Sequence, residues 1–508
     1  MKKQILYILL FLAVCVPVLL PLFHPGFFQS DDGEWMIIRF SAFHQAIING
    51  QFPVRFLQRL NFGYGYPVAN FLYPGFMYFG EILKLLGFGF VDTIKITLGI
   101  SLVESVVFSY FWLRSLFGKW PAIIGAFFYL YAPYHLFDVY KRGSVGETLA
   151  IAIVPFILWQ IERKSLFWTS LGVALLILSH NTLAVLFLPV IIIYGFLRRA
   201  TSYVLQATCY GLGLSAFFWI PALFDLQYTI FVKTQVASWQ TYFSHYSLVG
   251  LSTFSILFIS FIFLISGKFF NTSKYGKNVV IFFFVLGVIS VFFSTSASTI
   301  FWRFLPVSFV QFPFRFLSLA ILSAAFLFAY ILDKIKEKNK MIISIVGLSL
   351  LGFSAAPYIK PESFFDKGDL YYATNEATTT VQDEYMPVWV KQKPTEHLKN
   401  KMEILEGKGR IKNLVFNNKK IHFDLNMENN GRIRVNTVYF PGWKAYIDGR
   451  ESKIDYSNKY GVMDIFVVKG PNAVEFIFSE TPMRLFSDVI SFASLLIFLG
   501  VSIRWKIR

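Results

Sequence analysis

Residues 166–199 read LFWTSLGVALLILSHNTLAVLFLPVIIIYGFLRR, and this stretch decides the class of fold. It consists of two apolar runs, 166–179 and 182–197, separated only by the polar pair His180 and Asn181. A helix rises about 1.5 Å per residue, so each run approaches the length needed to cross a hydrocarbon core about 30 Å thick. The stretch therefore predicts a tight hairpin of two membrane helices with His180 and Asn181 at its tip.

The composition of the whole chain extends this interpretation to most of its length. Hydrophobic residues make up 55% of the 508 residues, phenylalanine alone accounts for 60 of them, and only 15% are charged. An ordinary soluble domain carries about a quarter charged residues. We therefore predict a multi-pass α-helical membrane protein.

The basic excess and the two cysteines argue against other classes of protein. A net charge of +17 would suggest a nucleic-acid partner if the basic residues shared one folded face, but much of the excess lies at the ends of apolar runs. We therefore predict no nucleic-acid partner. Cys15 and Cys209 lie inside apolar segments, so they predict neither a disulfide framework nor a metal site.

Basic residues stay on the cytoplasmic side of a membrane, so they also predict how the chain is threaded. No small-residue cleavage site follows the first apolar run, 4–22, which is predicted to be a retained first span. If the stretch 71–88 lies in the membrane interface without crossing, every basic cluster and both termini become cytoplasmic. This threading gives about twelve spans. The remaining spans are 93–113, 121–136, 146–161, 166–179, 182–197, 203–224, 247–266, 278–296, 314–332, 341–357 and 484–503. The basic clusters contain Lys2, Lys3, Arg114, Lys119, Arg163, Lys164, Arg198, Arg199, Lys268, Lys274, Lys277, Lys334, Lys336, Lys338, Lys340, Arg504, Lys506 and Arg508.

The same threading predicts which segments lie outside the cell. The longest, 358–482, shows period-two alternation bounded by turn signals, which predicts a small antiparallel β-domain. Its predicted strands are Arg410–Phe416, Ile421–Met427, Arg432–Phe440 and Ala473–Phe478. We therefore predict three parts: a transmembrane domain at 1–357, an extracytoplasmic β-rich domain at 358–482, and a final span with a basic cytoplasmic tail at 483–508. The other outer segments are 23–70, 137–145, 225–246 and 297–313.

Ionisable residues in the first two outer loops are candidates for chemistry. Asp31 and Asp32 lie at the predicted N-terminus of a helix, where solvation or capping explains them, but adjacent acids can also hold a divalent cation or act as a base. In the second loop, Glu147 begins a span, and an ionisable residue at that depth is a functional candidate. The alternative is a structural ion pair with Lys141 or Arg142. The second loop also contains His135 and Asp138.

Three further places carry polar residues near the predicted outer boundary. His180 and Asn181 either cap the hairpin or line a cavity that faces outward. Arg315, which follows Gln311, begins a span on the outer side and needs an anionic partner, either a lipid headgroup or a lipid-linked phosphate. The segment Asp383-Glu384-Tyr385 is predicted to return to the membrane surface. No phosphate-binding GxxxxGKS/T loop supports ATP-driven transport, and the seven histidines show no zinc spacing.

The arrangement resembles the GT-C membrane glycosyltransferases: a single first span, an acidic outer loop, the stretch Tyr73-Pro74-Gly75 and a second acidic loop. The chain is also similar to membrane proteins described as 6-pyruvoyl-tetrahydropterin synthase-related, although no three-histidine zinc site accompanies that name. The stretches that carry this second resemblance are Pro133–Leu136, Phe217–Leu223, Gln311–Leu317 and Glu384–Pro387. The C-terminal stretch Tyr439–Gly449 is similar to the tail of YfhO-type membrane proteins.

The GT-C resemblance implies transfer of a sugar from a polyprenyl-phosphate donor to a glycan, lipid or protein acceptor at the outer face. It implies Asp31 or Asp32 as base or metal ligand, with Glu147 or Asp138 assisting. A divalent cation such as Mg²⁺ or Mn²⁺ is one implied cofactor. The residues implied to bind substrate are Asp138, Lys141, Arg142, His135, His180, Asn181, Gln311 and Arg315, with Trp35, Tyr64 and Tyr66 as aromatic platforms.

Two other functions remain as alternatives. The first is a non-catalytic factor that binds or exports lipid-linked glycan, which would tolerate Asp→Asn changes at the acidic pair. The second is a secondary transporter, which ranks last because transporters often show internal repeats and none is visible here. Trp443 is predicted to be either a core residue or a sugar platform.

Overall fold

The computed structural model describes residue 11 and residues 13–231, 239–266, 276–304, 309–377 and 383–507, with the side chains of 501–507 excepted. Some predictions fall outside these residues. They concern Lys2, Lys3, residues 4–10, Lys268, Lys274, residues 232–238, residues 305–308 and Arg508.

The described helices and strands follow one another in this order. The helices are α1 Ala13–Phe23, α2 Gly33–Ile48, α3 Gly75–Leu85, α4 Phe90–Leu116, α5 Lys119–Tyr131, α6 Pro133–Phe137, α7 Val145–Glu162, α8 Leu166–Ser179, α9 Asn181–Leu197, α10 Thr201–Leu214, α11 Ala216–Asp225, α12 Tyr246–Val249, α13 Leu251–Ile265, α14 Lys277–Ser294, α15 Thr299–Phe304, α16 Leu317–Lys334, α17 Glu337–Ala355, α18 Asp369–Thr374 and α19 Pro482–Ile507. The strands are β1 Phe27–Phe28, β2 Phe364–Phe365, β3 Met402–Glu406, β4 Gly409–Phe416, β5 Lys420–Met427, β6 Gly431–Val438, β7 Trp443–Ile447, β8 Arg450–Ser452, β9 Val462–Val467 and β10 Gly470–Phe478.

The predicted hairpin is present as α8 and α9. His180 joins the two helices in an extended conformation, and its Nδ1 accepts a hydrogen bond of 3.2 Å from the backbone N–H of Leu183. This bond satisfies one of the free N–H groups at the start of α9. His180 therefore caps the hairpin.

Within the described residues, seven helical segments are long and apolar enough to cross a membrane, and an eighth exists if α10 and α11, bent by 70°, form one span. The shorter apolar helices α1, α8, α9 and α13 add four more candidates. The predicted helical membrane architecture is confirmed, whereas the number of crossings remains a prediction. Helix α3 has 11 residues and is about 16 Å long, too short to cross a bilayer.

Helix α16 forms the centre of the helical part. Each of its residues from Leu317 to Leu332 is buried, as expected for a helix that is apolar on all sides. It packs against α5, α13 and α14, while α4 packs against α5 and α7. Because α16 begins at Leu317, two residues after Arg315, this packing holds the Arg315 guanidinium at one end of the helical core.

The predicted C-terminal β-structure is confirmed as two antiparallel sheets. One has the order β4-β5-β10-β7-β8 and the other β3-β6-β9, and both contribute apolar side chains to the core. The four predicted strands correspond to β4, β5, β6 and β10, although β10 begins at Gly470 rather than Ala473. Trp443 is buried against Phe56 and Phe478, so it is a core residue and not a sugar platform.

Several contacts join the β-sheets to the helical part. Strand β1 pairs with β2, which connects the first loop to the segment after α17. The backbone N–H of Val438 donates to the carbonyl of Tyr64 at 2.7 Å. The fully buried Arg484 on α19 pairs with Asp225 on α11 at 2.9 Å. The loop 51–66 and the last helix thus hold the sheets against the helical part.

Candidate functional site

The backbone brings the two acidic loops together. The N–H of Asp31 donates to the carbonyl of Lys141 at 3.0 Å, and the N–H of Asp32 donates to the carbonyl of Arg142 at 2.7 Å. Residues 138–142 form one π-helical turn that ends at Gly143. Such turns are frequent at functional sites. The two loops that the sequence marked separately therefore form one structure.

Glu147 is the fully buried centre of a cluster of charged side chains. Its Oε1 lies 2.5 Å from Arg142 Nη1 and 2.8 Å from Arg315 Nε, and its Oε2 accepts from the Tyr134 hydroxyl at 3.0 Å. His180 Nε2 lies 3.5 Å from Oε1. Because His180 Nδ1 accepts a hydrogen bond, its proton is on Nε2, the nitrogen that faces Glu147.

These contacts decide between the two predicted partners of Glu147. Arg142 contacts Glu147, whereas Lys141 contacts Glu362. A carboxylate that is buried between two guanidinium groups offsets the cost of burying their charge. Glu147 therefore forms an ion pair with Arg142, one of its two predicted partners, and a second with Arg315, while its functional role stays a prediction.

Arg142 connects this buried cluster to a cavity. It donates to Asp138 Oδ1 at 2.9 Å and to Asp32 Oδ2 at 3.3 Å, in addition to Glu147. Its guanidinium carbon lies 5.0 Å from the ring centre of Phe314. The contact with Asp32 is the longest of the three that Arg142 makes with carboxylates, and Asp32 is the most exposed of the three partners. The bond to Asp32 is therefore the one that an incoming anion displaces most easily.

Arg315 is held by the loop that precedes α16. Its Nη1 donates to the carbonyl of Val310 at 2.9 Å and to Gln311 Oε1 at 2.8 Å, and its guanidinium carbon lies 4.7 Å from the ring centre of Phe312. Gln311 has a φ of 65°, in the left-handed region. Gln311 thus orients Arg315 rather than facing the cavity.

The cavity itself has a volume of about 490 Å³ and lies beside the acidic loops. Of the predicted site residues, Asp31, Asp32 and Arg142 line it. Its other walls are mainly aromatic and include Phe312 and Tyr242. A polar end with two carboxylates and one guanidinium, beside aromatic walls, fits a ligand that has polar groups and an apolar part.

The electrostatic surroundings distinguish Asp31 from Asp32. Partial burial of the Asp31 carboxyl and the negative charge of Asp32 raise its pKa, while Arg142 and Lys141 oppose that shift. A carboxyl with a raised pKa is a stronger proton acceptor once it is ionised. Asp31 is therefore a candidate for a general base, whereas the Asp32 carboxylate is paired with Arg142.

The segment around Glu384 packs near this region, while its return to the membrane surface stays a prediction. The backbone N–H of Tyr385 donates to the Tyr66 hydroxyl at 3.0 Å, and its ring stacks on Phe71 with centres 4.8 Å apart. Burial raises the pKa of the Glu384 carboxyl, whereas Arg39 and then Arg315 lower it. The sequence analysis missed Arg39, whose buried Nε has no hydrogen-bond partner among the described residues. Its position within α2, two turns after the acidic pair, was the available signal.

Several predicted residues lie away from the cavity. His135 is buried, with Nδ1 at 3.1 Å from the carbonyl of Tyr129, and Asn181 donates to the carbonyl of Phe71 at 3.0 Å. Tyr66 is fully buried, so the hypothesis that it stacks on a sugar is wrong. Tyr64 lies beside Tyr460, with ring centres 6.0 Å apart, and Trp35 is half-buried against the core.

The surroundings of Asp31 and Asp32 fit a metal ion poorly. Among the described residues, no group of three or more His, Cys, Asp or Glu side chains is placed to hold one. The Arg142 guanidinium, 3.3 Å from Asp32, already neutralises that carboxylate. A divalent cation such as Mg²⁺ or Mn²⁺ would meet this positive charge at close range.

Gly143 provides a direct test of the junction between the two loops. With a φ of 65°, a Cβ on this residue would lie 2.5 Å from Ser30 Oγ and 2.8 Å from Gly33 Cα. We expect Gly143→Ala to destabilise the protein by about 1–3 kcal/mol through overpacking and strain. Thermal unfolding in detergent measures the change.

Gly352→Ala is the matched control for this substitution, because nothing lies within 4 Å of a Cβ at that position in α17. Its melting temperature is expected to equal or exceed that of the wild type, since alanine stabilises a helix interior relative to glycine. Equal melting temperatures for Gly143→Ala and the wild type would contradict the proposed packing of the two loops.

Comparisons with known proteins give one family and one fold. Residues 72–361 match the family described as "6-pyruvoyl-tetrahydropterin synthase related domain; membrane protein". No curated protein matches the chain in sequence.

Among solved structures, the cryo-EM structure of the arabinofuranosyltransferase AftD from Mycobacteria matches with a TM-score of 0.50 and 16% identity. The match covers 70% of this chain and 27% of AftD, so this chain spans about a quarter of the length of that enzyme. A mutant of the same enzyme matches with a TM-score of 0.45 and 16% identity, over 68% of this chain and 28% of the mutant. At 16% identity, the first match concerns the fold alone and shows that the helical part of this chain folds similarly to part of AftD.

Proposed function

We propose that this chain, which belongs to the family of membrane proteins with a 6-pyruvoyl-tetrahydropterin synthase related domain, is a glycosyltransferase. The donor in this proposal is a sugar linked to polyprenyl phosphate, and transfer takes place at the outer face of the membrane. The observation that carries the proposal is the cavity where Asp31 and Asp32 face Arg142 between aromatic walls. The GT-C fold supports a role of this general kind.

The proposed reaction is a single displacement at the anomeric carbon of the donor sugar. The acceptor hydroxyl oxygen forms a bond to that carbon while the bond between the carbon and the phosphate oxygen breaks. Asp31 takes the hydroxyl proton, which makes the oxygen a better nucleophile. The electron pair of the broken bond leaves with the polyprenyl phosphate, whose added negative charge faces the Arg142 guanidinium.

Glu147 and Asp138 act behind this surface as positioning residues. Both carboxylates are fully buried and contact Arg142, and neither lines the cavity. They hold the guanidinium in place before the donor arrives, so its reorganisation does not add to the barrier. Arg315 shares Glu147 with Arg142, so less of the negative charge of Glu147 acts on the Arg142 guanidinium.

A comparison of two ligands tests the role of Arg142 without altering the protein. We expect polyprenyl phosphate to bind roughly tenfold to a hundredfold more tightly than the polyprenol of equal length, since a charged hydrogen bond contributes about 1.5–3 kcal/mol. Native mass spectrometry of the full chain measures both affinities. Equal affinities would remove the basis for a phosphate site and contradict the proposed donor.

A further inference from the structure

A second cleft, with a volume of about 380 Å³, lies at the other end of α2. Three parts of the chain form it: the C-terminal turn of α2, the loop 51–66 and the segments that precede and follow β3 and β4. Its size falls within the range of small-molecule pockets. The lining side chains used below are Gln45, Asn49, Gln58, Arg59, Glu376 and Phe416.

The deepest polar wall of this cleft offers both an acceptor and a donor. Gln58 is 5% exposed, and its Nε2 donates to the carbonyl of Gly63 at 3.3 Å and to Thr437 Oγ1 at 3.1 Å. Its buried Oε1 has no hydrogen-bond partner in the part of the chain that the structure describes, and neither has the buried Nε of the adjacent Arg59. Buried polar atoms are rarely left without a partner, so this wall indicates a ligand with hydroxyl groups or ordered water.

The charges in the cleft already have partners within the protein. Arg59 Nη2 donates to Ser41 Oγ at 2.6 Å and to the carbonyl of Ile38 at 3.2 Å. Lys401 Nζ donates to the carbonyls of Gly63 and Asn436, both at 3.1 Å. Glu376 Oε2 lies 2.6 Å from His397 Nδ1. Because these groups are engaged, the cleft favours a neutral ligand over an anion.

The outer part of the cleft adds amides and an aromatic face. The side chains of Gln45 and Asn49 line it and have no hydrogen-bond partner among the described residues. Phe416 is 50% exposed at the end of β4. Amide groups that bond hydroxyls, together with an exposed ring that covers C–H groups, match the surface of a neutral sugar.

We propose that this cleft binds a neutral linear oligosaccharide, as a distal part of the acceptor chain. The inference rests on the proposed function. Asp32 precedes α2 and Gln45 lies near its end, 13 residues later, which corresponds to about 20 Å along a helix. One sugar is too short to reach from Asp32 to Gln45, whereas a chain of several sugars is long enough. On this proposal the acceptor is an oligosaccharide or polysaccharide, with its reacting hydroxyl near Asp31.

Calorimetric titration of the full chain in nanodiscs tests the cleft directly. The probes are neutral linear gluco-, galacto- and manno-oligosaccharides of two and of eight sugars, together with a sulfated octasaccharide. At least one neutral octasaccharide is expected to bind, and the double variant Gln45→Ala/Asn49→Ala is expected to weaken it at least tenfold. Asn426→Ala, an exposed amide change outside the cleft, is the matched control and should bind as the wild type does.

The outcomes separate this proposal from the proposed function. Binding requires no donor and no turnover, so it remains measurable if the transferase activity fails. Absence of binding by every neutral probe, preference for the sulfated chain, or equal binding by the double variant and the wild type overturns the cleft assignment. If the wild type is active and the double variant transfers sugar to long acceptors equally well, only the cleft proposal fails.

Discussion

Asp31→Asn is expected to slow sugar transfer by about 10²–10⁴-fold, the usual contribution of a general base. The amide has the same shape as the carboxyl, so the backbone bond from Asp31 N–H to Lys141 is retained. The amide, unlike the carboxylate, cannot take the proton from the acceptor hydroxyl. Transfer from a labelled donor, measured with thermal unfolding as a folding control, gives the result.

The pH dependence of transfer identifies which carboxylate is the base. The ionised carboxylate accepts the proton, so kcat/KM should fall as the pH drops through the pKa of Asp31. Because partial burial and Asp32 raise that pKa, this fall should occur above the range of an ordinary aspartate, about pH 3.9. The residual activity of Asp31→Asn should lack the fall, whereas that of Asp32→Asn should keep it at a lower pH, because the charge of Asp32 no longer raises the pKa of Asp31. The opposite pattern would assign the base to Asp32.

Glu147→Gln is expected to destabilise the protein by about 3–5 kcal/mol, because it leaves the charges of two buried guanidinium groups without their shared partner. Arg142 and Arg315 lie 2.5 and 2.8 Å from its Oε1. Transfer should fall as well, since Arg142 loses a fixed position. Chemical denaturation of the purified chain measures the stability.

A matched substitution and a double variant show whether the loss of stability comes from the pairing of Glu147 with the two arginines or from any loss of a glutamate charge. Glu337→Gln changes the same side chain at an exposed position on α17, where the pair with Lys340 contributes little, so stability should change by less than about 0.5 kcal/mol. Combining Glu147→Gln with Arg315→Gln should cost less than the sum of the two single changes. Full additivity would show that the two side chains do not interact.

The sequence predicts those features of the fold that depend on local pattern. Apolar runs marked α8 and α9 with bounds close to those observed, because span length follows from bilayer thickness. Alternation marked β5 and β10, each with one buried face. Alternation did not mark β9, because both faces of this strand are covered and its residues hardly alternate between buried and exposed. Such a strand carries no period-two signal.

The candidate site depends on contacts between distant segments, which local pattern does not encode. The sequence marked Asp31, Arg142 and Arg315 separately but gave no means to choose Arg142 over Lys141 as partner of Glu147. The structure makes that choice because the π-helical turn places Arg142 in the interior and Lys141 beside Glu362. Arg39 was missed because a basic residue in an amphipathic helix usually faces solvent.

The most direct test of the account is sugar transfer by the purified chain in nanodiscs. A panel of radiolabelled polyprenyl-phosphate sugars is incubated with oligosaccharide acceptors, with and without a chelator, beside Asp31→Asn. The account predicts that the wild type moves label from one donor to an acceptor, that the chelator has no effect, and that Asp31→Asn binds the donor but transfers it about 10²–10⁴-fold more slowly. Donor binding without turnover by both proteins would contradict the enzyme and favour a factor that carries lipid-linked glycan.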